Sequence, residues 1–187
     1  MSAPPIRLEV LIGSVRRGRF GPVVADWFVR RARQRADLDI GVLDLADISL
    51  PVDHSDTPES QSFRRRIDEA DAFVMVTPEY NHGYPAALKN AIDTAKQEWR
   101  AKPVGFVSYG GLSGGLRATE QLRQVVAEVH MVSIRQTVSF HQARKRFDAA
   151  GETDDGAALD GAERLLGQLA WWAEVLRAAR AANPYPG

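Results

Sequence analysis

The stretch Thr77-Pro78-Glu79-Tyr80-Asn81-His82-Gly83-Tyr84-Pro85 holds the residue types that point most clearly to chemistry. Pro78 and Pro85 restrict the backbone, and Gly83 permits close approach of a ligand or a positive φ. Glu79, Tyr80 and Asn81 can orient the polar edge of a planar ring. The stretch holds neither a nucleophile beside its base nor a metal cage. His82 suits a solvated or hydrogen-bonded role better than that of a base. The competing reading of the stretch is a rigid, proline-bounded turn around a buried tyrosine.

Two further loops have unusual compositions. Gly13-Ser14-Val15-Arg16-Arg17-Gly18-Arg19-Phe20-Gly21 offers a hydroxyl, three arginines and a flexible backbone leading into a helix. A helix N-terminus with arginines beside it favours a phosphate of charge near −2. The plainer alternative is a solvated basic turn. The loop is not a Walker loop, since no Gly-Lys-Ser/Thr occurs, and it lacks Gly-x-Gly-x-x-Gly. Asp44 could mimic the ribose-binding acid of a dinucleotide site, but the glycines that reading needs are missing. Ser14 and Arg16 stand where a receiver domain would need acids. The third loop, Ser108-Tyr109-Gly110-Gly111-Leu112-Ser113-Gly114-Gly115-Leu116-Arg117, has four glycines that leave backbone N–H groups open to a ligand edge. Alone, it could equally be a flexible connector.

The elements that must carry these loops alternate. Strands are predicted at Arg7 to Ile12, Asp39 to Leu43, Ala72 to Val76, Val104 to Val107 and Val132 to Val138, the last interrupted by Arg135 and Gln136. Pro22 suits the first turn of a helix with Val23, Val24, Trp27 and Phe28 on one face. Helices follow at Ser60 to Ala70, after Pro85, and around Leu122, Val125, Val126 and Val129, which share one face. A long last helix carries Ala162, Leu165, Leu166, Leu169, Ala173 and Leu176, and a loose tail is expected at Asn183 to Gly187. The segment Ser139 to Gly156 reads as a polar loop. Such alternation means a parallel sheet covered on both faces, in a single domain over residues 1–187. The usual five-strand solution has the order 2-1-3-4-5. In it the three loops follow neighbouring strands and converge on the switch point where such sheets bind ligands.

Composition narrows the function. Apolar residues make up 44% of the 187 residues and charged residues 26%. Lysine plus arginine and aspartate plus glutamate number 24 each, so no nucleic acid or anionic membrane is expected as partner. Without cysteine, disulfides, thiolate nucleophiles and cysteine-ligated metal centres are excluded; no metal site is expected. Met1 to Arg7 and the short run after it do not resemble a signal peptide or a membrane span, so a cytoplasmic protein is expected. Arg64-Arg65-Arg66 reads as a solvated helix face. Arg144-Lys145-Arg146 could meet the extra phosphate of NADPH, although a solvated loop is the plainer reading. Trp171 and Trp172 suit core or interface.

A phosphate at the first loop and a planar polar ring against the other two describe a mononucleotide, with FMN the best candidate. Here a resemblance becomes specific. Gly13-Ser14-x-Arg16, the run from Pro78 to Asp93 with Leu88-Lys89-Asn90-Ala91-Ile92-Asp93, and Gly110-Gly111 with Gly114-Gly115-x-Arg117-Ala118 resemble the NADPH-dependent FMN reductase family over roughly residues 6 to 140. The resemblance implies an α/β, flavodoxin-like three-layer fold, bound FMN, NADPH or NADH as electron donor, and a homodimer or dimer of dimers with flavins near the interface. It implies cofactor contacts at Ser14, Arg16, Arg19, Phe20 and Gly21 for the phosphate. Pro78, Glu79, Tyr80, Asn81 and Gly83 would face the ring, with Ser108, Gly110 and Gly111 in the third loop. A common family form has serine near position 19 or 20, where this chain has Arg19 and Phe20. The expected function is hydride transfer from NAD(P)H through FMN to a small-molecule acceptor (flavin, quinone, azo compound or similar) by alternation, with no acid–base residue required. Lys89, Asn90 and Asp93 are expected to be structural. The alternatives are a non-enzymatic flavin-binding electron carrier or redox sensor, and a binder of another phosphorylated nucleotide.

Overall fold

The computed structural model describes residues 4–186. Five parallel strands form one sheet in the order β2-β1-β3-β4-β5. They are β1 (Ile6–Ile12), β2 (Leu38–Asp44), β3 (Ala72–Pro78), β4 (Pro103–Tyr109) and β5 (Val132–Phe140). Five helices connect and flank them: α1 (Gly21–Ala32), α2 (Pro58–Glu69), α3 (Ala86–Thr94), α4 (Leu116–Glu128) and α5 (Gly156–Ala182). Residues 183–186 have no regular structure, and Gly187 lies outside the described residues.

The two central strands explain the layering. Every residue of β3 and of β4 is buried, as their near-continuous apolar sequences require of strands covered on both faces. Alternation sends Val74 and Val76 into one core with α1 and α5, and Phe73 and Met75 into a second with α2, α3 and α4. Trp27, Phe28, Leu165 and Leu169 fill the first; Ile67, Leu88, Ile92, Trp99 and Leu122 fill the second. The edge strands β2 and β5 are only partly covered.

Strand β5 runs through Phe140, longer than its sequence suggested. Its pairing with β4 skips from Val104↔Ser133 to Phe106↔Thr137. The irregularity absorbs Arg135 and Gln136, the residues that break the apolar pattern. Ser139 and Phe140 therefore belong to the sheet rather than to the loop, and Ala143–Lys145 forms a short 3-10 turn.

Helix starts differ by position. Thr57 and Ser60 form a reciprocal cap on α2, and Asp155 accepts from Ala157 and Ala158 at the start of α5. The helices that follow the three loops, α1, α3 and α4, have no side-chain cap. Arg66 is less solvated than expected: it makes a bidentate pair with Glu9 at 3.0 and 2.9 Å and donates to Val42 O. Trp172 packs against the core while Trp171 stays exposed beside it. Lys89 pairs with Asp93 and Asn90 donates to Leu50 O, structural contacts as expected.

Candidate functional site

The loops after β1, β3 and β4 meet over the carboxyl ends of their strands around a cleft of about 400 Å³. Arg16 and Phe20 reach it from the first loop; Pro78, Glu79 and Tyr80 from the second; Gly110 and Gly111 from the third. Seven expected site residues thus share one cleft. A broader opening of about 600 Å³ lies nearby, between the loop after β2 and the start of α3. It takes no residue from the second or third loop, so the first cleft is where the three loops converge.

The remaining expected residues stand around or beneath it. Ser14 is fully buried and its Oγ accepts from the Tyr109 hydroxyl at 3.1 Å. Burial pushes the Tyr109 hydroxyl up to about 12 despite that bond, so it stays a protonated donor near neutral pH. Gly21 opens α1 directly against this pair. A Cβ there would lie 2.5 Å from Ser14 Oγ and 2.9 Å from Tyr109 Oη, so the close approach requires glycine. The start of α1 has no side-chain cap, so its first-turn N–H groups are not taken up by one.

Arg16 and Arg19 have different environments. The Arg16 guanidinium lies 4.8 Å from the centroid of the Tyr80 ring, and among the described residues it has no ion-pair partner. Arg19 is committed. It holds Asp44 with two bonds of 2.7 and 2.6 Å and donates to Ser14 O at 3.0 Å. Hydrogen bonding to Asp44 outweighs burial and holds the Arg19 pKa above its ordinary value. Arg19 is therefore a brace of the first loop, and Asp44, occupied by it, does not present a free carboxylate to a ribose.

The second loop turns more tightly than its glycine suggested. Tyr80 and Gly83 exchange backbone bonds of 2.8 and 3.0 Å, and the positive φ falls on Asn81 (48°) and His82 (71°), not on Gly83. This is a hairpin turn with two left-handed central residues, which asparagine favours. Asn81 is at its exposed tip. The turn is pinned to α4: Arg117 Nε donates to Glu79 Oε1 at 2.6 Å, Arg117 Nη1 lies 2.8 Å from His82 Nε2, and Gln121 donates to His82 O. Burial alone would raise the Glu79 carboxyl, but bonds from Arg117 and Ser113 hold it below its ordinary value. Glu79 is thus an ionised anchor, and His82 is engaged with a cation.

In the third loop, Ser108 is buried and donates to Gly114 O at 2.9 Å, as does Ser139. Ser108 holds the loop from below and does not reach the cleft. Gly115 has φ 89°, and a Cβ there would sit 2.7 Å from Ser108 Cβ. Gly110 and Gly111 line the cleft with their backbone tied to the segment after β5: Gly110 N donates to Phe140 O at 3.1 Å, and Gln142 N and Ala143 N donate to Gly111 O and Gly110 O at 2.8 and 3.1 Å.

A fourth contributor was read from the sequence chiefly as a solvated loop, with the extra phosphate of NADPH as the other reading for its basic run. Gln142, Ala143, Arg144 and Lys145, from the segment after β5, line the same cleft. Tyr109, also in its wall, was visible only as a loop member. The signal available for the fourth wall was a basic run followed closely by an aromatic: Phe147 packs on Phe20, Trp27 and Phe140.

Sheet order, uncapped helix starts and a cleft over the carboxyl ends of β1, β3 and β4 define a flavodoxin-like α/β protein with an open cleft at its switch point. More particularly, the chain belongs to the NADPH-dependent FMN reductase family, whose model matches residues 6–145. It is 38% identical over 138 residues to an NAD(P)H-dependent FMN reductase of Schizosaccharomyces pombe, covering 67% of this chain and 68% of the relative. It is 31% identical to an NADPH:quinone oxidoreductase of Arabidopsis thaliana, covering 87% and 89%. Among solved structures, the NAD(P)H:(acceptor) flavoenzyme FerB of Paracoccus denitrificans superposes with TM-score 0.76 at 21% identity, covering 91% of this chain and 98% of that one. An archaeal flavodoxin superposes with TM-score 0.60 at 12% identity, covering 90% and 99%. At these identities the structural likeness bears on the fold alone. The expected enzyme class, an oxidoreductase, and the expected pair of FMN and NAD(P)H agree with the family. No helix among the described residues is long and apolar enough to cross a membrane, and no group of metal-ligating side chains is found there.

Proposed function

We propose that the cleft holds FMN and that the protein oxidises NAD(P)H and reduces a small-molecule acceptor (flavin, quinone, azo compound or similar) at the same face in turn. The observation that carries the reading is the convergence of the three loops on one cleft, with the unpaired Arg16 at its β1 end. The residues fit the group. The glycine-opened, uncapped start of α1 and the Arg16 guanidinium suit its phosphate. The backbone of Pro78 to Tyr80 and of Gly110-Gly111 suits the flat ring and its polar edge.

When bound, FMN supplies hydride acceptance and donation at its ring. The chain binds, orients and shields. Arg19, fixed by Asp44, sets the shape of the phosphate loop. Glu79, fixed by Arg117, sets the height of the second loop against α4. Glu79, Tyr80 and Gly110 donate their backbone N–H groups within the protein, so the Gly111 N–H is the backbone donor set to stabilise negative charge on the ring edge. No side chain need move a proton: Glu79 is ionised, Tyr109 is held protonated, and His82 is turned to Arg117. Ser14 and Ser108 act from beneath, as supports.

A homodimer suits the opening beside α3. Val15 and Val52 are exposed there, next to Ala86 and Ala87 at the helix start. Steady-state NADPH oxidation with FMN or a quinone tests the enzyme reading. A stable yellow protein that NADPH cannot reduce would point instead to an electron carrier.

A further inference from the structure

The basic run after β5 has no role in the account above; Arg144, Lys145 and Arg146 are exposed, yet Arg144 is held to the first loop. The 3-10 turn at Ala143–Lys145 folds back onto the first loop. Arg144 Nη2 donates to Gly18 O at 2.9 Å, a contact spanning 126 positions of the chain. Its guanidinium lies 5.2 Å from the centroid of the Phe20 ring. Phe20 is the N-cap residue of α1, and its ring is held edge-on by Tyr109 and Phe147. The Arg144 cation is therefore set beside the uncapped start of α1 by a rigid aromatic support.

The cleft receives two such cations: Arg16 on Tyr80 from the β1 side, and Arg144 on Phe20 from the β5 side. Among the described residues neither is ion-paired, whereas Arg19 is paired with Asp44 and Arg117 with Glu79. Stacking on a ring fixes a guanidinium while leaving its in-plane N–H donors free. A phosphate monoester carries a charge of about −1.5 to −2 near neutral pH. One arginine leaves roughly half of that unmatched. Position 20 offers no hydroxyl, and Arg19 is taken.

We propose that Arg144 is a second cationic clamp for the terminal phosphate of the flavin nucleotide, and that it makes the site discriminate FMN from riboflavin. The proposal rests on the flavin reading. It gives the segment after β5 a binding role at the phosphate end of the cleft.

Fluorescence-quenching titrations of flavin-free protein with FMN and with riboflavin test it, in wild type, Arg144→Met and Arg144→Lys. Methionine keeps an apolar stem over Phe20 and removes the charge; lysine restores the charge without the planar fork. Arg144→Met is expected to weaken FMN binding by about tenfold or more, from loss of a charge-assisted bond. Riboflavin binding is expected to stay unchanged, and Arg144→Lys to recover part of the FMN affinity. Equal loss of both flavins would overturn the proposal by marking a packing role. Unchanged FMN affinity would also overturn it. If that came with a lost preference for NADPH over NADH, the arginine would read the nicotinamide nucleotide's phosphate instead. Wild-type protein that binds neither flavin would refute the flavin reading itself and take the proposal with it.

Discussion

Replacing Arg16 by alanine should weaken FMN binding and leave the fold intact, whereas replacing Arg19 should chiefly destabilise the fold. Arg16 is exposed, and its guanidinium lies 4.8 Å from the centroid of the Tyr80 ring. An exposed contact of that kind contributes about 0.5–1 kcal/mol, so flavin-free Arg16→Ala should melt close to wild type. Its charge-assisted bond to phosphate would contribute about 1.5–3 kcal/mol, which corresponds to a roughly 10- to 150-fold loss of FMN affinity. Arg19 holds Asp44 with two bonds, and each side chain is 17% exposed. Its removal leaves the Asp44 carboxylate with the Ala46 N–H at 3.0 Å in place of that fork. The cost is about 1–3 kcal/mol, and each kcal/mol lowers Tm by about 2–4 °C in a chain of this size. Thermal melts of the flavin-free proteins, paired with FMN titrations, read both effects. Unchanged FMN affinity in Arg16→Ala would refute the role given to Arg16. A loss of FMN affinity in Arg19→Ala with no loss of Tm would show that Arg19 leaves Asp44 to take the phosphate.

Gly21→Ala should lower both Tm and FMN affinity, since its Cβ would meet Ser14 Oγ at 2.5 Å and Tyr109 Oη at 2.9 Å. Overpacking of this kind costs about 1–3 kcal/mol, and an unchanged melt would contradict the close approach at the start of α1. Lys102 is buried and donates to Ile67 O and Asp68 O, and burial pushes its pKa down to about 8 from an ordinary 10.5. Between those values the unfolded chain keeps a proton that the native chain has released, so stability should rise with pH across that window. Urea denaturation at pH 8 and pH 10 should show the rise in wild type and not in Lys102→Met; equal slopes would show that Lys102 stays charged in the native protein.

The strand order and the convergence of three loops were legible because each rests on local signals: apolar runs of strand length, then glycine or proline at the turns. Pro78 to Tyr80, Gly110, Gly111 and Arg16 were found for that reason. What stayed hidden depends on contacts far apart in the chain. Nothing near Arg19 marks it as the partner of Asp44, 25 positions away. Ser14 and Ser108 have the composition of ligand-binding serines, but the sheet buries both and Tyr109 and Gly114 engage them. Gly83 was read as permitting close approach or a positive φ; the hairpin geometry places the positive φ on Asn81 and His82. The strand was read past Arg135 and Gln136 to Val138, but Ser139 and Phe140 were assigned to the polar loop, because only their pairing with Ser108 and Tyr109 marks them as strand. The segment carrying Arg144 read as a polar loop, because its contacts with Gly18 and Phe20 lie more than 120 positions away in the chain.

The central claim is that this cleft binds FMN and lets NAD(P)H reduce it. The most direct test is the visible spectrum of protein incubated with FMN, freed of unbound flavin, and then mixed with NADPH or NADH without oxygen. The account predicts a retained, perturbed flavin spectrum that bleaches on adding one or both nicotinamides. Protein that emerges colourless, or a bound flavin that stays oxidised with both, would contradict it.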